Sequence, residues 1–126
     1  MLADMITYGK AYYFAKSMLP CTPDSIIIGY TQEEIEGSIS NAPVIWAHFL
    51  DNELLYNTEN FTKQKYLGER PKTYDIGDKC PGRIGTWLGW AIVSQFTERK
   101  GLTLQELMKT NDANLIFQES KYRPGK

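Results

Sequence analysis

Histidine is the side chain that most often serves as a general base or metal ligand near neutral pH, and this chain of 126 residues contains one, His48. One histidine excludes every site that needs two, including the two-histidine helical zinc motif of metallopeptidases. A serine or cysteine nucleophile would need His48 and a third residue, and no G-x-S-x-G turn is present to hold one. We therefore interpret His48 as a surface or boundary residue of a helix and assign no catalytic residue.

The acidic residues also lack the spacing of a catalytic or metal site. Asp51 and Glu53 are two positions apart and point to different faces of a helix, so they do not form an acid–base pair. Four acidic residues fall in predicted loops without the regular spacing of a calcium site: Asp24, Glu69, Asp75 and Asp78. The glycine-rich phosphate-binding loops are absent as well. We therefore predict no bound metal and no cofactor.

Three glycines recur three and four residues apart, and on a helix they would share one face: Gly82, Gly85 and Gly89. Each interior glycine costs a helix about 0.5–1 kcal/mol relative to alanine, which indicates close approach of another group to the bare backbone. We predict that a second helix lies there, either the helix of residues 2–19 or the helix that contains Trp46. The alternative is an interaction surface, with a ligand or peptide between Trp87 and Trp90.

The elements that must position these residues are predicted to be helices. Apolar residues recur at three- and four-residue steps over residues 2–19, and Pro20 ends that helix. Residues 26–30 form a buried extended segment, with a short strand as the alternative. Thr31 and Glu34 have the spacing of a capping box, which begins the next helix.

Pro43 interrupts that next helix. Either the helix kinks there, or it stops and Asn41 caps a new helix that runs to about residue 56. Residues 57–79 are polar without a sustained period, so we predict one long irregular loop. Four apolar residues are expected to pin this loop to the helices: Phe61, Tyr66, Leu67 and Tyr74.

The C-terminal third is predicted to contain three helices. The glycine-containing helix starts at Gly82 and ends before Gly101, a second capping box opens a short helix at residues 103–106, and Asn111–Asp112 caps the last one. The fold class is therefore all-α, a compact bundle of about four to six helices with one long irregular loop. We expect residues 1–126 to form a single helical domain, since 42% of them are hydrophobic.

The composition argues against nucleic-acid binding and against a membrane-spanning segment. Lys and Arg number 14 against 15 Asp and Glu, so no electrostatic field concentrates nucleic acid. The apolar runs are far shorter than the roughly 18 residues that a transmembrane segment needs.

The first residues are typical of the middle of a helix rather than of a secretion signal, so we expect the natural chain to extend before Met1. Cys21 and Cys80 are expected to be free thiols, with one bridge as the alternative.

Six short blocks of sequence carry a family resemblance. They are Tyr8–Phe14, Leu19–Pro20 with Pro23–Ser25, Gly29–Thr31, Ile45–Trp46 with Leu54–Tyr56, Pro81–Gly85 with Trp87–Trp90, and Ile116–Phe117 with Ser120–Pro124. The P-G-R-I-G-x-W-x-G-W block and the S-K-Y-R-P ending are the most specific. In this order, the blocks resemble the C-terminal half of the gliding-motility-associated lipoprotein GldB family of Bacteroidetes, over nearly the whole chain.

The resemblance implies an envelope lipoprotein that is linked to gliding motility and its secretion machinery, in the periplasm or cell envelope. Its partners would be other envelope proteins. A lipid anchor is expected only if an upstream segment exists, because Cys21 does not lie in a lipidation box. We therefore expect a non-catalytic interaction or assembly component.

The family also resembles, distantly, helical zinc-metallopeptidase-like domains, which implies the C-terminal half of a zincin-like fold. In those domains a two-histidine helix lies upstream, and a glutamate before the glycine of an E-G pair completes the metal site. Here Tyr8 precedes Gly9, so a phenol replaces that carboxylate. The alternative function is thus the C-terminal fragment of a degenerate zinc-metallopeptidase-like enzyme, whose metal helix lies before Met1.

Overall fold

The computed structural model describes residues 1–68, 72–73, 76–77 and 80–124. Within these ranges the backbone forms helices and one isolated antiparallel bridge, between Lys72 and Pro81, and no strand. The helices are α1 (Leu2–Met18), α2 (Asp24–Ile28), α3 (Gln32–Ser40), α4 (Ala42–Asp51), α5 (Asn60–Leu67), α6 (Ile84–Lys100), α7 (Leu104–Lys109) and α8 (Ala113–Ser120). The prediction of a mainly α fold is confirmed, with two short helices, α2 and α5, beyond those expected.

The capping signals in the sequence correspond to the observed helix ends. Thr31 and Thr103 both begin a helix with a complete capping box, and the carboxylate of Asp112 accepts the amide of Leu115 at the start of α8. Gly101 ends α6 in the left-handed conformation, at φ 63°. Local side-chain hydrogen bonds therefore fix these boundaries.

The chain divides at Asn41 into two helices, the second of the two predicted arrangements, and Pro43 lies in the first turn of α4. Asn41 stands between α3 and α4, but its Nδ2 donates back to the carbonyl of Gly37 in α3 at 2.8 Å, so its side chain does not cap the start of α4 as predicted. The helix that follows ends at Asp51, earlier than the predicted residue 56.

The prediction of an extended segment at residues 26–30 is wrong. Pro23 precedes a short helix there, its carbonyl accepts the amides of Ile26 and Ile27, and Gly29 ends the turn at φ 82°. A run of β-branched residues favours a strand, but no second strand among the described residues offers it hydrogen bonds. A helical turn satisfies the backbone locally instead.

The prediction of one irregular loop over residues 57–79 is also wrong in part, because α5 lies within it. Tyr66 and Leu67 are buried as expected, whereas Phe61 is 74% exposed and does not pin the segment. Tyr74 lies outside the described residues. The helix escaped prediction because its polar and apolar residues show little helical periodicity.

The core is organised around α6, which is buried around nearly its whole circumference. α1 lies along one side of α6, and α5 and α8 pack on other sides. At the far end of the bundle, the Trp46 ring of α4 lies 5.2 Å from the ring of Tyr122 and 5.7 Å from that of Phe117. These aromatic contacts join the C-terminal residues to α4.

The α1 and α6 backbones touch where glycine faces glycine. A Cβ placed on Gly89 would overlap the carbonyl of Met5, and a Cβ placed on Gly9 would overlap the carbonyl of Gly89. Gly85 meets α5 instead, since a Cβ there would lie 2.8 Å from Leu67 Cδ2 and 3.0 Å from the Tyr66 carbonyl oxygen.

Gly82 does not belong to this helix. It lies in a turn two residues before α6, so the three glycines do not share one helix face, contrary to the prediction. The physical reason is Arg83, which adopts the left-handed conformation at φ 58° and separates the turn from the helix.

Replacing Gly89 with alanine is expected to lower the free energy of unfolding by about 2 kcal/mol or more, because main-chain atoms must move to admit the methyl group. Gly37→Ala is the matched control. Gly37 lies inside α3 with open space at its Cβ position, so alanine there is expected to raise stability by about 0.5–1 kcal/mol. Urea denaturation measures both. A Gly89→Ala protein as stable as Gly37→Ala would contradict the close crossing.

Candidate functional site

Arg83 and Tyr30 join α2 to the start of α6. Arg83 Nη2 donates to the carbonyl of Ile28 at 2.7 Å, where α2 ends, and its guanidinium lies 5.6 Å from the centre of the Tyr30 ring. Tyr30 Oη donates to the carbonyl of Gly82 at 2.6 Å. The left-handed backbone at Arg83 directs its side chain into this contact, so the P-G-R-I-G block forms a junction between elements distant in sequence.

Tyr12 extends the same junction to α1. Arg83 Nη1 donates to Tyr12 Oη at 3.4 Å, and Tyr12 Oη lies 3.3 Å from the hydroxyl oxygen of Thr86. Thr86 in turn donates to the carbonyl of Arg83 at 2.7 Å. Burial raises the pKa of Tyr30 well above its ordinary value, so its phenol is a neutral hydrogen-bond donor at physiological pH. These four residues, the Arg83 cluster, therefore position helices rather than transfer protons.

His48 is half-buried on α4, as a boundary residue. Its Nε2 lies 2.8 Å from Tyr66 Oη, and the two rings are 5.7 Å apart. Phe49 also packs on Tyr66, with ring centres 5.1 Å apart. His48 thus contributes to the contact between α4 and α5.

The predicted acidic residues are scattered. Asp24 forms an ion pair with Lys16, with 3.1 Å between the carboxylate oxygen and Nζ. Asp51 is the last residue of α4, and Glu53 lies two positions later in the left-handed conformation, at φ 53°. Glu69, Asp75 and Asp78 lie outside the described residues. Across the part of the chain that the structure describes, no three His, Cys, Asp or Glu residues are grouped as metal ligands would be.

The two tryptophans of the predicted interaction surface line a shallow groove of about 310 Å³ between α1, α3 and α6. Trp87 and Trp90 are 9% and 7% exposed, so only ring edges reach the groove. Gly85 and Gly89 face α5 and α1 instead. The structure therefore separates the predicted surface into buried glycine contacts and a tryptophan-lined groove.

A larger cavity of about 740 Å³ lies beside α3, at the start of α4 and against the segment that carries the bridge from Lys72 to Pro81. Its described lining is Thr31, Glu33, Glu34, Gly37, Ser38, Asn41, Val44, Ile45, Lys72, Ile76, Gly77, Cys80 and Pro81. The sequence did not predict this cavity. No local sequence signal locates it, because its walls come from segments far apart in the chain.

Both cysteines are free thiols in the structure, and they differ in environment. Cys21 is exposed, whereas Cys80 is half-buried. Burial raises the pKa of the Cys80 thiol to about 11, although a hydrogen bond with Thr73 and the charge of Lys72 oppose the rise. Cys80 is therefore a weakly reactive thiol.

The family model described as gliding motility protein GldB matches residues 1–124 of this chain. The chain therefore belongs to the GldB family and is a gliding-motility-associated envelope protein, which confirms the resemblance found in the sequence. No curated protein and no solved structure matches the chain, so the likeness to a zincin-like fold stays a prediction.

None of the helices in the described ranges has both the length and the apolar character needed to cross a membrane.

Tyr30→Phe is expected to lower the free energy of unfolding by about 1–3 kcal/mol, since the buried carbonyl of Gly82 loses its donor. Tyr56→Phe is the control, because Tyr56 is 66% exposed and its change is expected to stay within about 0.5 kcal/mol. Urea denaturation compares them, and equal stabilities would contradict the role given to the Arg83 cluster.

Cys21 is expected to react with iodoacetamide at pH 8 at least about tenfold faster than Cys80. A pKa of about 11, against an ordinary 9.0, lowers the thiolate fraction of Cys80 about a hundredfold, and the greater nucleophilicity of a more basic thiolate offsets part of this. Peptide mapping by mass spectrometry gives both rates for the folded protein. Equal rates, or a protein 2 Da lighter than the free-thiol mass, would contradict this assignment.

Proposed function

We propose that this chain is a non-catalytic interaction or assembly component of the gliding-motility and secretion machinery, on the periplasmic side of the envelope of a Bacteroidetes cell. Its partners are other envelope proteins, residues 1–126 form one helical domain, and a lipid anchor would require a segment upstream of Met1. The observation that carries the proposal is the structural use of the most specific family block. Arg83, Gly85 and Gly89 from that block contact other helices through buried or main-chain groups.

The C-terminal block supports the same conclusion. Tyr122 of the S-K-Y-R-P ending is buried against Trp46, and burial raises the pKa of its phenol to about 12. The Tyr122 phenol is therefore neutral, and its ring stabilises the fold by packing against other aromatic rings. The residues that define the family in this chain thus stabilise a scaffold whose outer surface is free to meet other proteins.

A degenerate zinc-metallopeptidase-like enzyme is the second candidate, and one observation favours it. Tyr8, at the position where the resemblance implies a glutamate ligand, is 46% exposed on α1, so an upstream helix could reach its phenol. Gly9 beside it is already explained by the contact with Gly89.

Deleting the gene in the native host is expected to stop gliding, and the purified full-length protein is expected to carry substoichiometric zinc and to leave peptides uncleaved. Elemental analysis and a fluorogenic peptide assay on that protein measure the second result. One zinc per chain together with peptide cleavage would overturn the proposal in favour of the enzyme. Normal gliding after deletion would separate the chain from motility altogether.

A further inference from the structure

Helix α4 is apolar on its outward side as well as on its core side. Its buried face consists of Ala42, Ile45, Trp46 and Phe49. Its outward face consists of Pro43, Val44, Ala47 and Leu50, all exposed, with Val44 at 61% and Leu50 at 49%. A helix that is apolar all round is ordinarily covered on all sides. The outward face of α4 therefore has the composition of a protein interface.

Val44 connects this face to the larger cavity. It lines the cavity together with the buried Ile45 and Pro81 and the half-buried Ile76. A cavity of this size falls in the range that takes a ligand or several side chains of a partner. Ser38 also lines it, and its hydroxyl is buried without a hydrogen-bond partner in the described part of the chain. Buried hydroxyls are normally satisfied, so this wall is incomplete by itself.

The charges along this surface are acidic. Glu33 lines the cavity and Asp51 ends α4, and both are exposed without an ion pair among the described residues. Lys72, the one cation of the described lining, lies 3.5 Å from Glu34. The apolar face is thus bordered by two uncompensated carboxylates, which favour a partner with basic residues beside its apolar ones.

We propose that the outward face of α4 and the adjoining cavity form a docking surface for a basic, apolar segment of another envelope protein. The proposal rests on the assembly function proposed above and names the site and the chemistry of the partner. A second copy fits less well. Two-fold packing of α4 on α4 would bring this acidic border against itself, and the one cation of the described lining, Lys72, already pairs with Glu34.

The test uses the purified chain and two synthetic amphipathic helical peptides, one of leucine and lysine and one of leucine and glutamate. Calorimetric titration is expected to show saturable, stoichiometric binding of the leucine–lysine peptide, weakened by salt, and no binding of the leucine–glutamate peptide. Leu50→Lys, at the C-terminal end of the face, is expected to raise the dissociation constant about tenfold or more. Glu33→Gln is expected to raise it by a smaller factor.

Leu115→Lys is the matched control. Leu115 is a leucine on α8 with 43% exposure, close to that of Leu50, so its replacement adds the same charge elsewhere. An unchanged dissociation constant for Leu115→Lys supports the proposal, and far-ultraviolet circular dichroism verifies that both variants are folded. Equal weakening by the two variants, equal binding of the two peptides, or no binding at all would overturn it.

Two further outcomes separate this proposal from neighbouring ones. Concentration-dependent dimers in sedimentation velocity that Leu50→Lys abolishes would assign the face to a second copy and overturn the proposal. A strain that stops gliding on deletion but glides normally with Leu50→Lys at the native locus would overturn the docking surface and leave the assembly function standing.

Discussion

The contact of two helix backbones at Gly9 and Gly89 is the constraint on which the rest of this structure depends. Main-chain atoms of α1 and α6 meet there without side chains between them, and even a methyl group would collide with a carbonyl. Close approach lets α6 sit inside the bundle, with α5 and α8 against its other sides. The cost of glycine inside a helix, about 0.5–1 kcal/mol, is offset by this dense packing.

The Arg83 cluster depends on this packing of α1 against α6. Because α1 is held against α6, Tyr12 reaches the start of α6, and Arg83 can bond both Tyr12 and the end of α2. The carbonyls of Ile28 and Gly82, which lie at or outside helix ends, thus accept hydrogen bonds from side chains of other segments. The family match covers residues 1–124, and these include all four residues of the Arg83 cluster.

The sequence predicted those parts of the fold that local chemistry decides. Capping boxes at Thr31 and Thr103 and the αL glycine Gly101 set helix ends through bonds within a few residues, so spacing alone located them. The segment at residues 26–28 and α5 were missed because short helices with weak periodicity depend on tertiary contacts. The cavity beside α3 could not be predicted, since its walls come from segments about 40 residues apart, brought together by folding.

On the outward side of α4, exposed apolar residues lie beside Asp51, which has no ion pair among the described residues. The close contact of their backbones predicts that the α1–α6 pair is the most stable unit of the molecule. Native-state hydrogen exchange tests this most directly. Amides in the middle of α1 and α6 are expected to exchange only through global unfolding, and those of α7 through smaller openings. Amides around Gly89 that exchange as fast as those of α7 would contradict the account.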